Sequence, residues 1–287
     1  MTEKNIQLFI RFDDLSPAEL AAFNTILNNL LQLRGMDFRQ YRPKCLRRRV
    51  TVGMRDVNLE AFADYLNFLR KNPQEYDNLL DRITVNVSEF FRNPETFLAV
   101  KSKVISELAQ RKTKMNSRII RVWSAGCATG EEPYSLAILF KEFLESSRLD
   151  LKVNIYATDI DSGSLEKAQK GCYSLKALKE LSAFQREKYF EKTAEDVYAV
   201  KPELKEPVKF MRHNMISDEP LMRIDMLFCR NVFIYFSQEL QVQVYKKFAK
   251  ALVPGGYFVA GKTEIMMDAG EDSFERVDMS ERIYRKK

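Results

Sequence analysis

Two adjacent carboxylates, Glu131 and Glu132, open a helix directly behind a turn of small residues, Gly126-Cys127-Ala128-Thr129-Gly130. The apolar run before the turn, Val122-Trp123-Ser124-Ala125, reads as a strand. Gly126 and Gly130 carry no side chain and can take backbone angles closed to other residues, so a ligand can come close to the backbone here. A phosphate-binding turn offers bare N–H groups to an anion, and acids at these positions repel one. The turn therefore suits a ligand with a positive centre and no phosphate. S-adenosylmethionine, with its ammonium and sulfonium, is the commonest cofactor of that description. By itself the stretch also fits an ordinary strand-to-helix connection.

The elements that must position this turn agree with a ligand site. Val153-Asn154-Ile155-Tyr156-Ala157-Thr158-Asp159 is a second apolar run that ends in an acid, where Asp159 can bond both hydroxyls of a ribose, as acids do in dinucleotide folds. Asp161 is placed to cap the next helix, whose apolar Leu165 and Ala168 lie three apart. A helix from Tyr134 to about Ser146 separates the two strands and completes a βαβ unit of right-handed crossover. Ile224 to Cys229 reads as a buried strand that stops at Arg230 and Asn231, and Ser237 to Leu252 as a helix with Ser237 at its N-cap. Leu252 to Val259, through Pro254-Gly255-Gly256, reads as helix end, tight turn and fifth strand, with Phe274 to Val277 and Ile283 to Arg285 as a closing hairpin. Ligands of such sheets sit at the carboxyl ends of the strands, where Gly126, Asp159, Arg230 and Asn231 all fall. The expected class is α/β: a Rossmann-like, S-adenosylmethionine-dependent methyltransferase sheet with a small N-terminal helical domain and a small antiparallel β insert.

Four motifs then carry a resemblance. Asn86-Val87-Ser88-Glu89-Phe90-Phe91-Arg92-Asn93, the Gly126 turn running into Pro133-Tyr134-Ser135, Ala157-Thr158-Asp159-Ile160-Asp161, and Cys229-Arg230-Asn231-Val232-Phe233-Ile234-Tyr235-Phe236 together resemble the chemotaxis receptor methyltransferases, the CheR family. With the Pro254-Gly255-Gly256 turn and a helical N-terminal region, the resemblance covers nearly the whole chain. It implies transfer of a methyl group from S-adenosylmethionine to glutamate side chains of methyl-accepting chemotaxis receptors, leaving glutamate methyl esters and S-adenosylhomocysteine, with no metal. Carried over position by position, the cofactor contacts fall on Asn86, Ser88, Arg92, Gly126, Glu132 in preference to Glu131, Asp159, Asn214, Met215, Arg230 and Asn231. Ser88 stands where some members have Thr and keeps the hydroxyl. The resemblance also implies a cytoplasmic enzyme, recruited to membrane receptor arrays and working as a monomer.

The chemistry can be argued from the substrate alone. A glutamate carboxylate, with a reference pKa of about 4.3, is already ionised at neutral pH, so its methylation needs no general base. The chain has one histidine, His213, for which a surface or partly buried ring is the expected place. Joining a carboxylate to a sulfonium consumes both charges, so water, which stabilises the separated ions, must be excluded and the reacting atoms held in line. Arg92 is the candidate to hold and orient the carboxylate, and Tyr235 to offer a phenolic donor or aromatic edge near the methyl group. A full bidentate pair would blunt the nucleophile, so the Arg92 contact is expected to position it, shared with the cofactor carboxylate.

The 287 residues allow one catalytic domain and a smaller one. Residues 1–80 are expected to be helical, 81–115 to link and help roof the cofactor site, and 116–287 to form the catalytic domain with an insert at about 191–212. Ser16-Pro17-Ala18-Glu19 reads as a capping box, and Leu20, Phe23, Ile26, Leu27, Leu30 and Leu31 recur at helical spacing, as do Phe62, Tyr65, Leu66 and Leu69. Val197 to Val200 and Val208 to Met211 are expected to pair within the insert. In the family an insert here can hold a peptide tether of the receptor, and the short connection from Glu191 to Val197 points to action without one.

Charge concentrates between Phe38 and Arg55, where seven Lys and Arg residues stand with no acid, and Pro43 is placed to start a helix with Lys44, Arg48 and Arg55 on one side. Such a strip suits the acidic methylation helices of receptors. A solvated helix face and a nucleic-acid contact are the alternatives, the latter permitted by a formal charge of +6 and a pI near 9.0. Nucleic acid is not the expected partner, because the Asn-Pro-Pro-Tyr type of motif used by amino-methylating enzymes is replaced by Arg230-Asn231-Val232-Phe233, and Cys229 sits within a strand. A non-catalytic adaptor is the rival of another class. Cys45, Cys127, Cys172 and Cys229 have no CxxC spacing, which argues against zinc and disulfides, and no apolar run approaches about 18 residues. These features and the lack of a signal sequence point to the cytoplasm without direct membrane insertion.

Overall fold

The computed structural model describes residues 14–84, 88–266 and 272–287. Internal contacts divide the chain into two units. The first contains α1 (Pro17–Arg34), α2 (Pro43–Asp56), α3 (Phe62–Lys71), α4 (Glu75–Thr84) and the later segment Tyr235–Leu240. Helix α1 packs on α3, and α2 on α4, burying the apolar positions read from the spacing: Phe23, Ile26, Leu27 and Leu30 on α1, and Phe62, Tyr65, Leu66 and Leu69 on α3. The capping box is half formed. The Ser16 hydroxyl accepts from the Glu19 N–H at 3.2 Å, but the Glu19 carboxylate turns away to accept from the N–H groups of Phe62 at 2.6 Å and Ala63 at 3.2 Å. It thereby caps α3, whose own N-cap, Ala61, has no side-chain oxygen to offer. Pro43 takes the first position of α2 as expected, and the Arg42 N–H and Nε donate to the carbonyls of Tyr235 (2.8 Å) and Phe236 (3.0 Å).

The second unit begins with α5 (Pro94–Ala99), which passes through a π-wound segment, Val100–Ile105, into α6 (Ser106–Lys114). There follow β1 (Ile119–Ala125), α7 (Glu131–Ser147), β2 (Lys152–Asp159), α8 (Ser162–Lys170), β3 (Cys172–Tyr173), α9 (Ala183–Tyr189), β4 (Phe190–Ala194), β5 (Val197–Val200), α10 (Pro202–Lys205), β6 (Val208–Arg212), β7 (Ile224–Cys229), α11 (Gln238–Ala251, its first turn counted with the first unit), β8 (Leu252–Ala260), β9 (Phe274–Asp278) and β10 (Ile283–Lys286). Seven strands form one sheet in the order β6-β2-β1-β7-β8-β10-β9. The first five are parallel, and β10 runs antiparallel to both β8 and β9. Strand β7 is buried at every position, as a central parallel strand covered on both faces must be.

Two sequence expectations change. Val208–Arg212 does not pair with Val197–Val200: it lies parallel to β2, from Ile155 opposite Val208 to Asp159 opposite Arg212, as the edge of the large sheet. The small antiparallel sheet is instead β3-β5-β4, and it recruits Cys172–Tyr173 from the end of α8. Leu252 and Val253 are not a helix end. They already belong to β8, whose pairing with β7 shifts register between Ile224 and Met226 to take up the Pro254-Gly255 bend.

Candidate functional site

The carboxyl ends of β1, β2, β7 and β8 bring the chemically equipped residues of the second unit together. Behind β1 the chain turns over β2: the N–H groups of Gly126 and Cys127 both donate to the Thr158 carbonyl, at 2.8 and 2.9 Å. Gly126 takes φ +76°, and a Cβ there would stand 2.8 Å from Val232 Cγ2 and 3.5 Å from Met215 Cε. The turn after β1, the segment after β6 and the turn after β7 therefore meet at a glycine for want of space. Asp159 spends both carboxylate oxygens on loop backbone, Oδ2 accepting from Ala128 N–H at 2.8 Å and Oδ1 from Asp161 N–H at 3.0 Å. Asp161 caps α8 as expected, accepting from Gly163 N–H and the Ser164 hydroxyl, both at 2.8 Å.

The two glutamates of the turn part company. Thr129 Oγ1 donates to Glu131 at 2.8 Å, and the Ser88 hydroxyl also bonds to that carboxylate. Glu132 lies instead beside β1 and β7: Ser124 Oγ donates to it at 2.8 Å, and the Arg230 guanidinium stands 3.7 Å away. Burial raises the pKa of Glu131, Glu132 and Asp159 above the ordinary carboxylate range, and for Glu132 the charges of Arg230 and Arg92 pull the other way. Carboxylates so desolvated are poised for a ligand that brings positive charge. The glycine-lined turn and this donor set thus fit the ammonium and sulfonium of S-adenosylmethionine.

Arg230 is the hub of the cluster. It is 7% exposed, its Nη2 donates to the Arg92 carbonyl and to Asn93 Oδ1, both at 2.8 Å, and its guanidinium carbon lies 5.5 Å from the centre of the Phe97 ring. Burial depresses its pKa, and Nε, also buried, has no hydrogen-bond partner among the described residues. The segment it grips is strained: Phe91 and Asn93, on either side of Arg92, take φ of 48° and 60°. Ser135 secures it from α7, its hydroxyl accepting from Phe91 N–H at 2.9 Å while donating to the Glu131 carbonyl at 2.7 Å.

A fourth carboxylate was not legible in the sequence. Glu264, in the loop after β8, is 3% exposed and accepts from the N–H groups of Gly261 (2.6 Å), Asn231 (3.0 Å) and Phe233 (2.7 Å), and from Ile234 as well. Gly-Lys-Thr-Glu after a strand reads as a solvated turn, and only the fold shows what the acid faces.

His213 is more buried than expected. Its ring meets Trp123 edge-on at 5.4 Å between centroids, and Nε2 lies 2.9 Å from the Glu219 carbonyl. Asn214 uses its side-chain oxygen to accept from Ile216 N–H at 2.9 Å, shaping the turn that carries Met215. Asn231 sits at φ 62° in the turn after β7. Tyr235 falls with the first unit, as do Lys44, Arg48 and Arg55, all three exposed on α2 and without an ion pair among the described residues. Asn86 lies outside the described residues.

A mostly parallel sheet closed by an antiparallel hairpin, with this turn and these acids at its carboxyl edge, defines an S-adenosylmethionine-dependent methyltransferase. The family model described as "CheR methyltransferase, SAM binding domain" matches residues 86–283, and "CheR methyltransferase, all-alpha domain" matches residues 21–84. The chain belongs to the CheR methyltransferase family. It is similar to a chemotaxis protein methyltransferase of Borreliella burgdorferi, at 30% identity over 264 residues that cover 91% of this chain and 90% of the relative. A chemotaxis protein methyltransferase of Listeria monocytogenes is 33% identical over 236 residues, 82% of this chain and 87% of its own. An uncharacterized 104.1 kDa protein of Rhodobacter capsulatus is 33% identical over 276 residues, 96% of this chain, and the chain spans 28% of its length.

Proposed function

We propose that this protein methylates glutamate side chains of chemoreceptors, forming glutamate methyl esters. The observation that carries the reading is the buried Arg230 guanidinium with the half-buried Glu132 and Arg92 charges acting beside it. It can orient a carboxylate and balance charge, while the only histidine is packed against Trp123 and away from acid–base duty. A substrate that arrives ionised asks for nothing more.

S-adenosylmethionine supplies an electrophilic methyl carbon on a positively charged sulfur. Asp159 would meet the ribose, Glu132 the ammonium, and the Asn214-Met215 turn the adenine, with Ser88, Gly126 and Asn231 shaping the walls and Asn86 completing the set. Arg92 positions the incoming carboxylate, and because Arg230 already holds the Arg92 backbone, that guanidinium starts from a fixed point. Tyr235 is the candidate phenol for the transfer step that the family resemblance implies. Bound there, the cofactor would give its methyl group to the carboxylate oxygen with the sulfur as leaving group, a charge-consuming transfer that residues keeping water from the site would favour. Lys44, Arg48 and Arg55 would dock the acidic methylation helices, bringing the enzyme to receptor arrays.

Incubation with methyl-labelled S-adenosylmethionine and chemoreceptor membranes tests this. Label on the receptor band that mild base releases as methanol, and that Arg92→Ala or Asp159→Ala abolishes, is expected. Tight cofactor binding with no label on any receptor would favour a docking adaptor.

A further inference from the structure

The loop after β8 holds a buried acid that no part of the proposed chemistry uses. Glu264 accepts with both oxygens: Oε2 takes the N–H groups of Gly261 and Asn231 at 2.6 and 3.0 Å, and Oε1 that of Phe233 at 2.7 Å. Its own N–H closes the loop on the Gly261 carbonyl at 2.8 Å. The fit is tight, since a Cβ on Gly261 would stand 2.7 Å from Oε2 and 2.8 Å from the Asn231 nitrogen. The same loop is anchored from the other side, where Lys262 lies 3.2 Å from Glu281, whose carboxylate accepts from the Thr96 hydroxyl at 2.6 Å on α5. Arg230, at the start of the bonded turn, holds the residues that lead into α5. The turns after β7 and β8 and the start of α5 are thus joined in a ring of polar contacts, with Glu264 as the joint between the two turns.

A neutral amide could not serve there. Glutamine has the same shape but only one oxygen, and its NH2 would face backbone donors that point at it, leaving buried N–H groups unpaired. Core packing alone would not require a group with acceptors on both sides.

We propose that Glu264 is a positioning residue: its carboxylate sets the backbone of Asn231 to Ile234, and through it the placement of Arg230 and Asn231 against the cofactor, without touching cofactor or substrate. This rests on the cofactor site described above. A structural role alone would lower the melting temperature while leaving the affinity of the folded protein unchanged. A positioning role moves the affinity itself.

The test is titration calorimetry of the full chain with S-adenosylhomocysteine, at a temperature where circular dichroism shows each variant folded. Glu264→Gln is expected to weaken binding by roughly tenfold at unchanged stoichiometry, the order that a pair of lost buried hydrogen bonds gives. Gly261→Ala, which crowds the same carboxylate without altering its charge, should weaken binding in the same direction. In the unmodified protein the Asn231 and Phe233 amides should be protected from hydrogen exchange before ligand is added. Wild-type affinity in a folded Glu264→Gln, or unprotected amides where that variant does not fold, overturns the inference while leaving the cofactor site standing. Failure of the unmodified protein to bind overturns both.

Discussion

At the scale of single residues, the site is governed by the cost of burying charge. Arg230 is almost wholly enclosed and makes two hydrogen bonds to the Arg92 segment besides facing Glu132. Arg230→Met keeps most of the volume but strands the Arg92 carbonyl and leaves Glu132 short of its counter-charge. Urea unfolding should show a loss of roughly 3 kcal/mol, and a loss under about 1 kcal/mol would mean the cluster is wetter than it looks. The acids give a pH signature whose sign can be worked out. Glu131, Glu132 and Asp159 have pKa values raised by burial, so the folded state binds protons more readily than the unfolded one, and their charged burial costs stability at neutral pH that is recovered as pH falls. A cationic ligand acts the other way, favouring the ionised forms. S-adenosylmethionine binding should therefore release protons and weaken as pH falls from neutral to mildly acid, which calorimetry in buffers of different ionisation enthalpy will detect. Affinity that stays flat or strengthens over that range would count against these acids as ligand contacts.

At the scale of elements, the parts that the sequence revealed are those held by local chemistry. The β1 turn into α7, the acid at the end of β2, the Asp161 cap and the closing hairpin each rest on residues a few positions apart, and all are found. What escaped depends on distant partners. Val208–Arg212 is apolar enough for either sheet and joins β2 only because α8 and the insert return the chain to that edge. Glu264 and the left-handed Phe91 and Asn93 are intelligible only beside the turns they face. Gly126→Ala tests the close approach, since φ +76° and a contact of 2.8 Å to Val232 should together cost roughly 1–2 kcal/mol in thermal unfolding and reduce cofactor affinity as well. The β9–β10 hairpin supplies an opposite pH dependence. Lys103, 2.6 Å away, with the Ser280 hydroxyl and the Glu281 N–H, holds the Asp278 carboxyl at about 2 against an ordinary 3.8. A depressed folded-state value stabilises the protein above the unfolded pKa and is lost as pH falls towards 2. Lys103→Met should flatten this acid limb of the stability curve; an unchanged limb would show that the clasp contributes nothing.

At the scale of the molecule, the chain divides into a small helical unit and a unit built on the large sheet, and no helix among the described residues is long and apolar enough to cross a membrane. Lys44, Arg48 and Arg55 stand exposed on the helical unit, and a formal charge of +6 favours acidic partners. Reversing all three to glutamate should raise KM for receptors several-fold and remove its salt dependence, with the Kd for S-adenosylmethionine unchanged. An equal loss in both constants would place the effect in the catalytic unit. The proposed activity leaves the methyl group on a glutamate oxygen. Peptide mass spectrometry of receptors after reaction addresses it most directly. Glutamate residues one methylene heavier are expected within the acidic methylation helices, and are expected to be absent when Arg92→Ala replaces the wild-type enzyme. Methylation on lysine, arginine or nucleic acid, with receptor glutamates untouched, would contradict it.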